Sequence, residues 1–169
     1  MIFIGIVTDA KSEEDISKLL TYNKLFKENN VIFIKETNID NIKNVHFDTI
    51  ILNTKFKKMD KLLAVLINAK NIIVNMDEEI DFEDVNITNL NLITYGFNSK
   101  SSITISSVTD DEVLICVQRN IYNDSGIIEM QEIKIENNEN YSIYDLIMVL
   151  VLFFMYSSNY EEIHINGIK

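Results

Sequence analysis

Four short apolar segments in the first half of the chain predict buried β-strands. Each has a continuous apolar centre with polar residues beside it, a pattern typical of strands that are covered on both faces. The segments are MIFIGIV, NVIFIKE, FDTIILN and NIIVNMD.

The stretches between these segments carry apolar residues at helical spacing. They predict one helix in residues 12–29 and another in residues 58–70. The residues at helical spacing are Ile16, Leu19, Leu20, Leu25 and Phe26 in the first helix, and those expected to face inward in the second are Leu62, Leu63, Leu66 and Ile67. Strands and helices that alternate in this way indicate a parallel sheet with helices on both faces.

The pattern changes to antiparallel strands in the second half. NLITYGF and SITISSV flank Gly96, and the turn-forming segment YNDSG joins DEVLICVQRNI to GIIEMQEIKI. The alternating apolar positions are Val113, Ile115, Val117 and Ile121. They predict a hairpin with one solvated face, in which Gln118 and Arg119 lie opposite Gln131 and Glu132.

The segment YSIYDLIMVLVLFFMYSS predicts a strongly apolar helix that begins at Asn140 or Ser142. Its longest apolar run, residues 147–155, has nine residues. Crossing a bilayer takes about 20 residues, so we expect a buried helix. The whole pattern predicts one domain over residues 1–169, a three-layer α/β fold with a mostly parallel sheet and an antiparallel hairpin unit in its second half.

Charge narrows the classes of partner. The 169 residues contain 15 Lys and Arg against 26 Asp and Glu, a net charge of −11. Such a chain repels nucleic acid and anionic membranes, so we expect neither as a partner. The basic cluster Lys55–Lys61 is expected to form a solvated face.

Other features indicate location and exclude some chemistry. The N-terminus lacks the basic flank of a signal peptide, and a cytoplasmic location is predicted. Cys116 is the single cysteine and is expected to be an inert core thiol. His46, expected in a surface loop, and His164 have no nucleophile in a recognised setting, so a catalytic triad is unsupported. The acids from Asp77 to Asp84 lack calcium-loop spacing and indicate a solvated loop.

The segment GIVTDAKS, residues 5–12, carries the most specific chemistry. It matches the phosphate-loop pattern Gly-x-x-x-x-Gly-Lys-Ser/Thr except at Ala10. On one interpretation Lys11 contacts phosphate and Ser12 binds magnesium. On the other, Lys11 is solvated and Ser12 caps a helix, since Ser12 with Asp15 fits a helix start.

The order of these elements resembles the central ATP-binding domain of the Mur ligases, which add amino acids to the peptidoglycan precursor. GIVTDAKS lies where the family has its phosphate loop, and FDTIILNT at residues 47–54 is similar to the family's "FDxAVxTN". NIIVNMDEE at residues 71–79 and LITYGFNS at residues 92–99 follow in the family's order. YSIYDLIMVLVLFF takes the place of the family's helix near "HNxxNxxAAxA", and YEEIHINGIK takes the place of the "eeIxxgL" motif that follows it.

The resemblance implies a nucleotide site and its cofactors. Its positions in this chain are Gly5, Lys11, Ser12, Asn53, Asn75 and Asp77, with Glu36 as a shifted counterpart of a magnesium ligand. In the family these positions serve ATP and magnesium, which activate a carboxylate for ligation.

Departures from the family predict that this chemistry is lost. Ala10 replaces a loop glycine, and Asp9 puts a carboxylate where phosphate oxygens would lie. The family's "DHLDxHG" segment is absent, and residue 169 falls where the family's C-terminal domain would begin. A receiver-like phosphorylation domain is disfavoured, since its acceptor position carries Asn53.

The sequence therefore predicts a degenerate, non-catalytic Mur ligase-like domain that serves as a binding or structural module without a cofactor. We expect a protein partner or self-association, through the last helix or a bare sheet edge. The alternative is a nucleotide-binding relative of the peptidoglycan precursor ligases that retains Lys11, Ser12 and Asp77, uses ATP and magnesium, and is active only with a partner.

Overall fold

A computed structural model describes residues 2–22, 30–80, 90–124, 126–136 and 141–156. The strands are Ile4–Val7 (β1), Val31–Phe33 (β2), Thr49–Leu52 (β3), Asn71–Asn75 (β4), Asn91–Gly96 (β5), Ile103–Val108 (β6), Glu112–Val117 (β7), Ile121–Asn123 (β8), Gly126–Ile128 (β9) and Gln131–Glu136 (β10). The helices are Ala10–Tyr22 (α1), Met59–Leu66 (α2) and Ile143–Tyr156 (α3), with a 3₁₀ helix at Ile39–Asn41.

Among the described residues the main sheet has eight strands, in the order β10-β7-β6-β5-β4-β3-β1-β2. The strands from β2 to β6 run parallel, while β7 and β10 are antiparallel to their neighbours. The predicted α/β class, with a mostly parallel sheet and antiparallel strands in the second half, is confirmed.

A short connection marks the change from alternating helices to antiparallel strands. Parallel neighbours usually need a crossover of a dozen or more residues, but only residues 97–102 separate β5 from β6. The two strands overlap by two pairs, Tyr95 with Ile103 and Gly96 with Thr104. Thus β6 extends the sheet beyond the end of β5 and places β7 and β10 at its far edge.

Side chains on the two faces of the parallel strands enter two separate cores. Ile4 and Ile6 of β1 pack in one core with α1 and α3, whereas Val7 packs in the other with α2 and the 3₁₀ helix. Along β3 the same division separates Ile51 from Ile50. Burial on both faces explains why these strands are continuously apolar in the sequence.

Helix α3 is buried along most of its length, including every residue from Asp145 to Leu152. The predicted buried helix is confirmed, and its start agrees with the N–H of Leu146 donating to the carbonyl of Ser142 over 3.0 Å. The expectation that this helix exposes an apolar face for self-association is wrong. Within the described ranges, no helix has the length and apolar character needed to cross a membrane.

The predicted hairpin is divided into two units. The YNDSG turn joins β8 to β9 in a separate two-stranded sheet, and β10 then pairs with β7. Gln131 and Glu132 lie opposite Val117 and Cys116. The predicted pairing with Gln118 and Arg119 is therefore wrong, because both residues follow the end of β7.

Three smaller expectations also change. Ile67 is 63% exposed, and Val65 takes its place in the core beside Leu62 and Leu66. Cys116 is only partly buried, on the less covered face of β7. His46 is in an exposed loop, as predicted, while His164 is outside the described residues.

Candidate functional site

The carboxyl ends of β1 and β3 form the natural place for a ligand. The chain leaves β1 through α1 toward β2 on one side, whereas β3 lies on the other side of β1. Open α/β sheets bind ligands in the crevice where the strand order reverses in this way. The segment GIVTDAKS runs into this crevice from β1.

Asp9 fills the start of α1. Its Oδ1 accepts the backbone N–H groups of Lys11 at 2.9 Å and Ser12 at 3.0 Å, and its carbonyl accepts the N–H of Glu13 at 2.9 Å. Asp9 is thus the N-cap, and the helix begins at Ala10. The prediction that Ser12 is the cap is wrong. Asp9, three residues earlier, accepts the amides at the start of the helix, including the amide of Ser12 itself.

Lys11 and Ser12 point to different surroundings. Lys11 is exposed in the first turn of α1, while Ser12 is buried behind Asp9. The hydroxyl of Ser12 donates to Asp9 Oδ2 over 3.5 Å, a long contact. The amides that cradle a phosphate in a phosphate loop therefore hydrogen-bond to the chain's own carboxylate.

Asn53, directly after β3, joins the strand ends. Its Nδ2 donates to Thr8 Oγ1 and to Asp145 Oδ1, each over 3.0 Å. Its Oδ1 accepts the hydroxyl of Tyr95 over 2.5 Å, and its carbonyl accepts Nδ2 of Asn75 over 3.2 Å. The side-chain amide and the backbone carbonyl of this residue thus connect the ends of four strands and α3.

Asp145 is fully buried in the first turn of α3. Its Oδ2 accepts no hydrogen bond from the described residues. Burial raises the pKa of Asp145 to about 6, and the carboxylates of Asp9 and Asp15 add to the rise, while Ser12 and Asn53 favour the ionised form and offset part of it. The crevice behind α1 is therefore acidic and contains a buried carboxyl group whose pKa is above the ordinary value.

Asp77 lies just after the carboxyl end of β4, where it bonds to the loop after β5 and to α3. Its Oδ2 accepts the backbone N–H of Phe97 over 2.6 Å and the hydroxyl of Tyr144 over 3.0 Å, and its own N–H donates to Asn75 Oδ1 over 3.1 Å. A Cβ on Gly96 would lie 2.6 Å from Asp77 Oδ2, and Gly96 has φ +141°. The carboxylate of Asp77 thus holds the loop after β5 in place.

Gly5 and Glu36 lie apart from this network. Gly5 is inside β1, where a Cβ would be 2.6 Å from Ile34 Cδ1 and 3.2 Å from the ring of Phe47, so close packing explains the glycine. Glu36 accepts the N–H of Lys57 over 3.2 Å, and its carbonyl accepts Nζ of Lys58 over 3.1 Å. Of the residues implied by the resemblance, Ser12, Asn53, Asn75 and Asp77 lie along one edge, with Lys11 at its surface.

Two lysines of the basic cluster Lys55–Lys61 form ion pairs with acidic residues. Nζ of Lys55 is 3.0 Å from Oε2 of Glu79, and Nζ of Lys61 is 2.5 Å from Oδ2 of Asp40. All four side chains are exposed or partly exposed. Lys43 and Lys61 hold the pKa of Asp40 down at about 2. These pairs agree with a solvated face. In the described ranges no three His, Cys, Asp or Glu side chains gather where they could hold a metal ion.

A groove of about 490 Å³ opens at the other end of the parallel strands, beside the amino ends of β3, β4 and β5. The amide of Asn91 donates to Asn71 Oδ1 over 3.0 Å, and Lys70 is 2.6 Å from Asp124 at its rim. It is far from the strand ends that the motifs reach, and its polar groups largely bond one another. We therefore place the candidate site at the carboxyl ends.

Sequence reasoning missed Asp145 and Tyr95, two central members of the network. One signal was present for Asp145, which is the single charged residue in the apolar helix Ile143–Tyr156. A carboxylate in such a helix is buried and needs partners. Tyr95 gave no such signal, because an aromatic residue in a strand is ordinary core.

Comparisons with known proteins leave the site to be interpreted from its geometry. No sequence model of a protein family matches the chain, and no curated protein matches it either.

Proposed function

We propose that this chain is a degenerate, non-catalytic Mur ligase-like domain that acts as a binding or structural module. The observation that carries the proposal is the cap of α1, where the carboxylate of Asp9 accepts the amides of Lys11 and Ser12. A phosphate group would need these amides. The resemblance of element order and motifs supplies the family.

Electrostatics support the loss of anion binding. Asp9, Asp15 and the buried Asp145 lie close enough that the first two raise the pKa of the third. A nucleotide phosphate at this place would add further negative charge beside them. Only Lys11 carries positive charge in the first turn of α1, and its side chain is in solvent, where its field is weak.

Packing supports the absence of a reacting group. Asn53 and Tyr95 are buried and bonded to each other, and burial raises the pKa of Tyr95 well above its ordinary value, so its hydroxyl stays a donor. Asp145 is sealed from solvent by the same contacts. The crevice that holds a ligand in related architectures is filled here by the chain's own side chains.

The alternative function is a nucleotide-binding protein that retains Lys11, Ser12 and Asp77 and gains activity with a partner. Its support is that Lys11 and Asp77 are exposed on the same edge of the sheet. It requires Asp9 to leave the helix start when phosphate binds. The peptidoglycan relationship and the cytoplasmic location stay predictions under both proposals.

Titration calorimetry distinguishes the two. We expect no binding heat with ATP, ADP or GTP at millimolar concentration, with or without magnesium. Tight magnesium-dependent ATP binding that disappears in Lys11→Ala but persists in Lys18→Ala would contradict the proposal and support the alternative. Lys18 is the matched control because it is an exposed lysine further along α1, paired with Glu14.

A further inference from the structure

Among the described residues, strand β10 lies at one edge of the main sheet. It pairs with β7 on one side, and on its other side no strand of the described ranges pairs with it. An edge of this kind presents unpaired backbone N–H and C=O groups that can accept another strand.

The hydrogen-bond pattern shows which residues of β10 face outward. The N–H of Gln118 donates to the carbonyl of Ser102 over 2.8 Å, so even-numbered residues of β7 bond toward β6. Odd-numbered residues of β7 therefore bond toward β10, where Ile115 is opposite Ile133. On β10 the backbone groups of Glu132, Lys134 and Glu136 are left to point outward.

We propose that two copies of this chain associate through β10, antiparallel and centred on Ile133. Only two registers bring outward-pointing residues together and pair five residues of β10. The register centred on Ile133 places Glu132 of each copy opposite Lys134 of the other copy, which gives two pairs of opposite charge. The register centred on Lys134 sets Lys134 opposite itself and Glu132 opposite Glu136, and like charges directly opposite are unfavourable.

The surroundings of the edge fit this two-fold arrangement. Glu132, Lys134 and Glu136 are exposed, on the solvated face of the strand, while Ile135 is buried in the core that includes residues of α1 and α3. Lys134 is 2.5 Å from Glu112 of its own chain, so in the dimer it lies between that carboxylate and Glu132 of the second copy. Ile133 is half-buried and meets its own symmetry mate, which removes its remaining exposure.

This association does not depend on the proposed function, because neither its residues nor its edge belongs to the site at α1. Sedimentation equilibrium on the intact chain is the first test. We expect a concentration-dependent dimer that weakens by about tenfold or more in Lys134→Glu and in Glu132→Lys, since each creates two like-charge pairs. The double variant, Glu132→Lys with Lys134→Glu, restores the pairs and the dimer. Lys100→Glu, with the same charge change in an exposed loop, leaves it unchanged.

A cross-link tests the register and remains informative if the charge variants fold poorly. In a Cys116→Ser background, Ile133→Cys is expected to form an intermolecular disulfide on mild oxidation, because Cα atoms of such a non-hydrogen-bonded pair are about 4.5 Å apart. Gln131→Cys, which is more exposed, is expected not to form one. A wild-type monomer at all concentrations, a dimer indifferent to Lys134→Glu, or preferential cross-linking through Lys134→Cys would overturn the proposal.

Discussion

The carboxylate of Asp9 lies 3.0 Å from the backbone nitrogen of Ser12, at the start of the helix where a phosphate loop would hold its ligand. The chain's own carboxylate thus lies where an external anion binds at the start of a helix. Because the amides of Lys11 and Ser12 donate to Asp9, these two amides are not free to bind a phosphate.

Asp9→Ala is expected to lower the free energy of unfolding by about 1 kcal/mol, the usual effect of removing an N-cap. Asp9→Asn and Asp9→Ser keep a capping oxygen and are expected to lose less. Urea unfolding of the three variants at neutral pH measures this. Equal stability of Asp9→Ala and the wild type would mean that the cap does not hold α1.

Asp145 is expected to make stability fall as pH rises. Its pKa is about 6 in the folded chain against 3.8 as the ordinary value, so the folded state binds the proton more tightly. The free energy of unfolding contributed by this group is highest below pH 3.8. It decreases by about 3 kcal/mol as pH rises through 6.

The Asp145→Asn variant isolates this contribution, because other carboxylates, such as Asp40 with its pKa of about 2, act in the opposite direction. We expect the stability of Asp145→Asn minus that of the wild type to increase between pH 3.5 and pH 7. Urea unfolding at several pH values gives the difference. A difference that does not change with pH would show that Asp145 has an ordinary pKa.

Tyr95→Phe is expected to lower the free energy of unfolding by about 1–3 kcal/mol, since it leaves Oδ1 of the buried Asn53 without its donor. Tyr144→Phe removes a comparable hydroxyl, but its acceptor Asp77 is exposed and can bond to water. The control variant is therefore expected to lose less. A similar loss of unfolding free energy in both variants would show that the Asn53 network is not sealed from solvent.

Gly96→Ala, at the last residue of β5, is expected to be more damaging than Gly126→Ala, at the first residue of β9. Gly96 has φ +141° and its added Cβ would clash with Asp77 Oδ2, whereas Gly126 has φ +151° with open space around it. Gly126→Ala therefore measures backbone strain alone, about 1–2 kcal/mol. Thermal unfolding of the two variants should show the larger loss for Gly96→Ala, and Asp77→Ala should reduce that excess.

Much of the fold could be predicted from hydrophobic pattern alone. The segments around β1, β3 and β4 are apolar because both faces of these strands are buried, and the run after Ser142 is apolar because α3 is buried almost all round. These signals come from burial within a few residues of sequence.

The hydrophobic pattern could not predict contacts between residues that are far apart in the sequence. The direct pairing of β10 with β7 depends on β8 and β9 forming their own sheet, which no local signal distinguishes from one long hairpin. Asp145 joins the site only because α3 returns to the ends of β1 and β3. The sequence predicted the wrong N-cap because Asp9 and Ser12 are both residue types that cap helices well. Only the three-dimensional path of the chain shows which side-chain oxygen accepts the amides at the helix start.

The most direct test of the account follows the amides of Lys11 and Ser12 themselves. In chain labelled with ¹⁵N at lysine and serine, we expect the amide chemical shifts of these two residues to stay unchanged as magnesium and ATP are raised to millimolar concentration. A saturable shift of both amides in the wild type, with the shift of the Ser12 amide lost in Lys11→Ala, would contradict the account, because it would show phosphate displacing Asp9 from the start of α1.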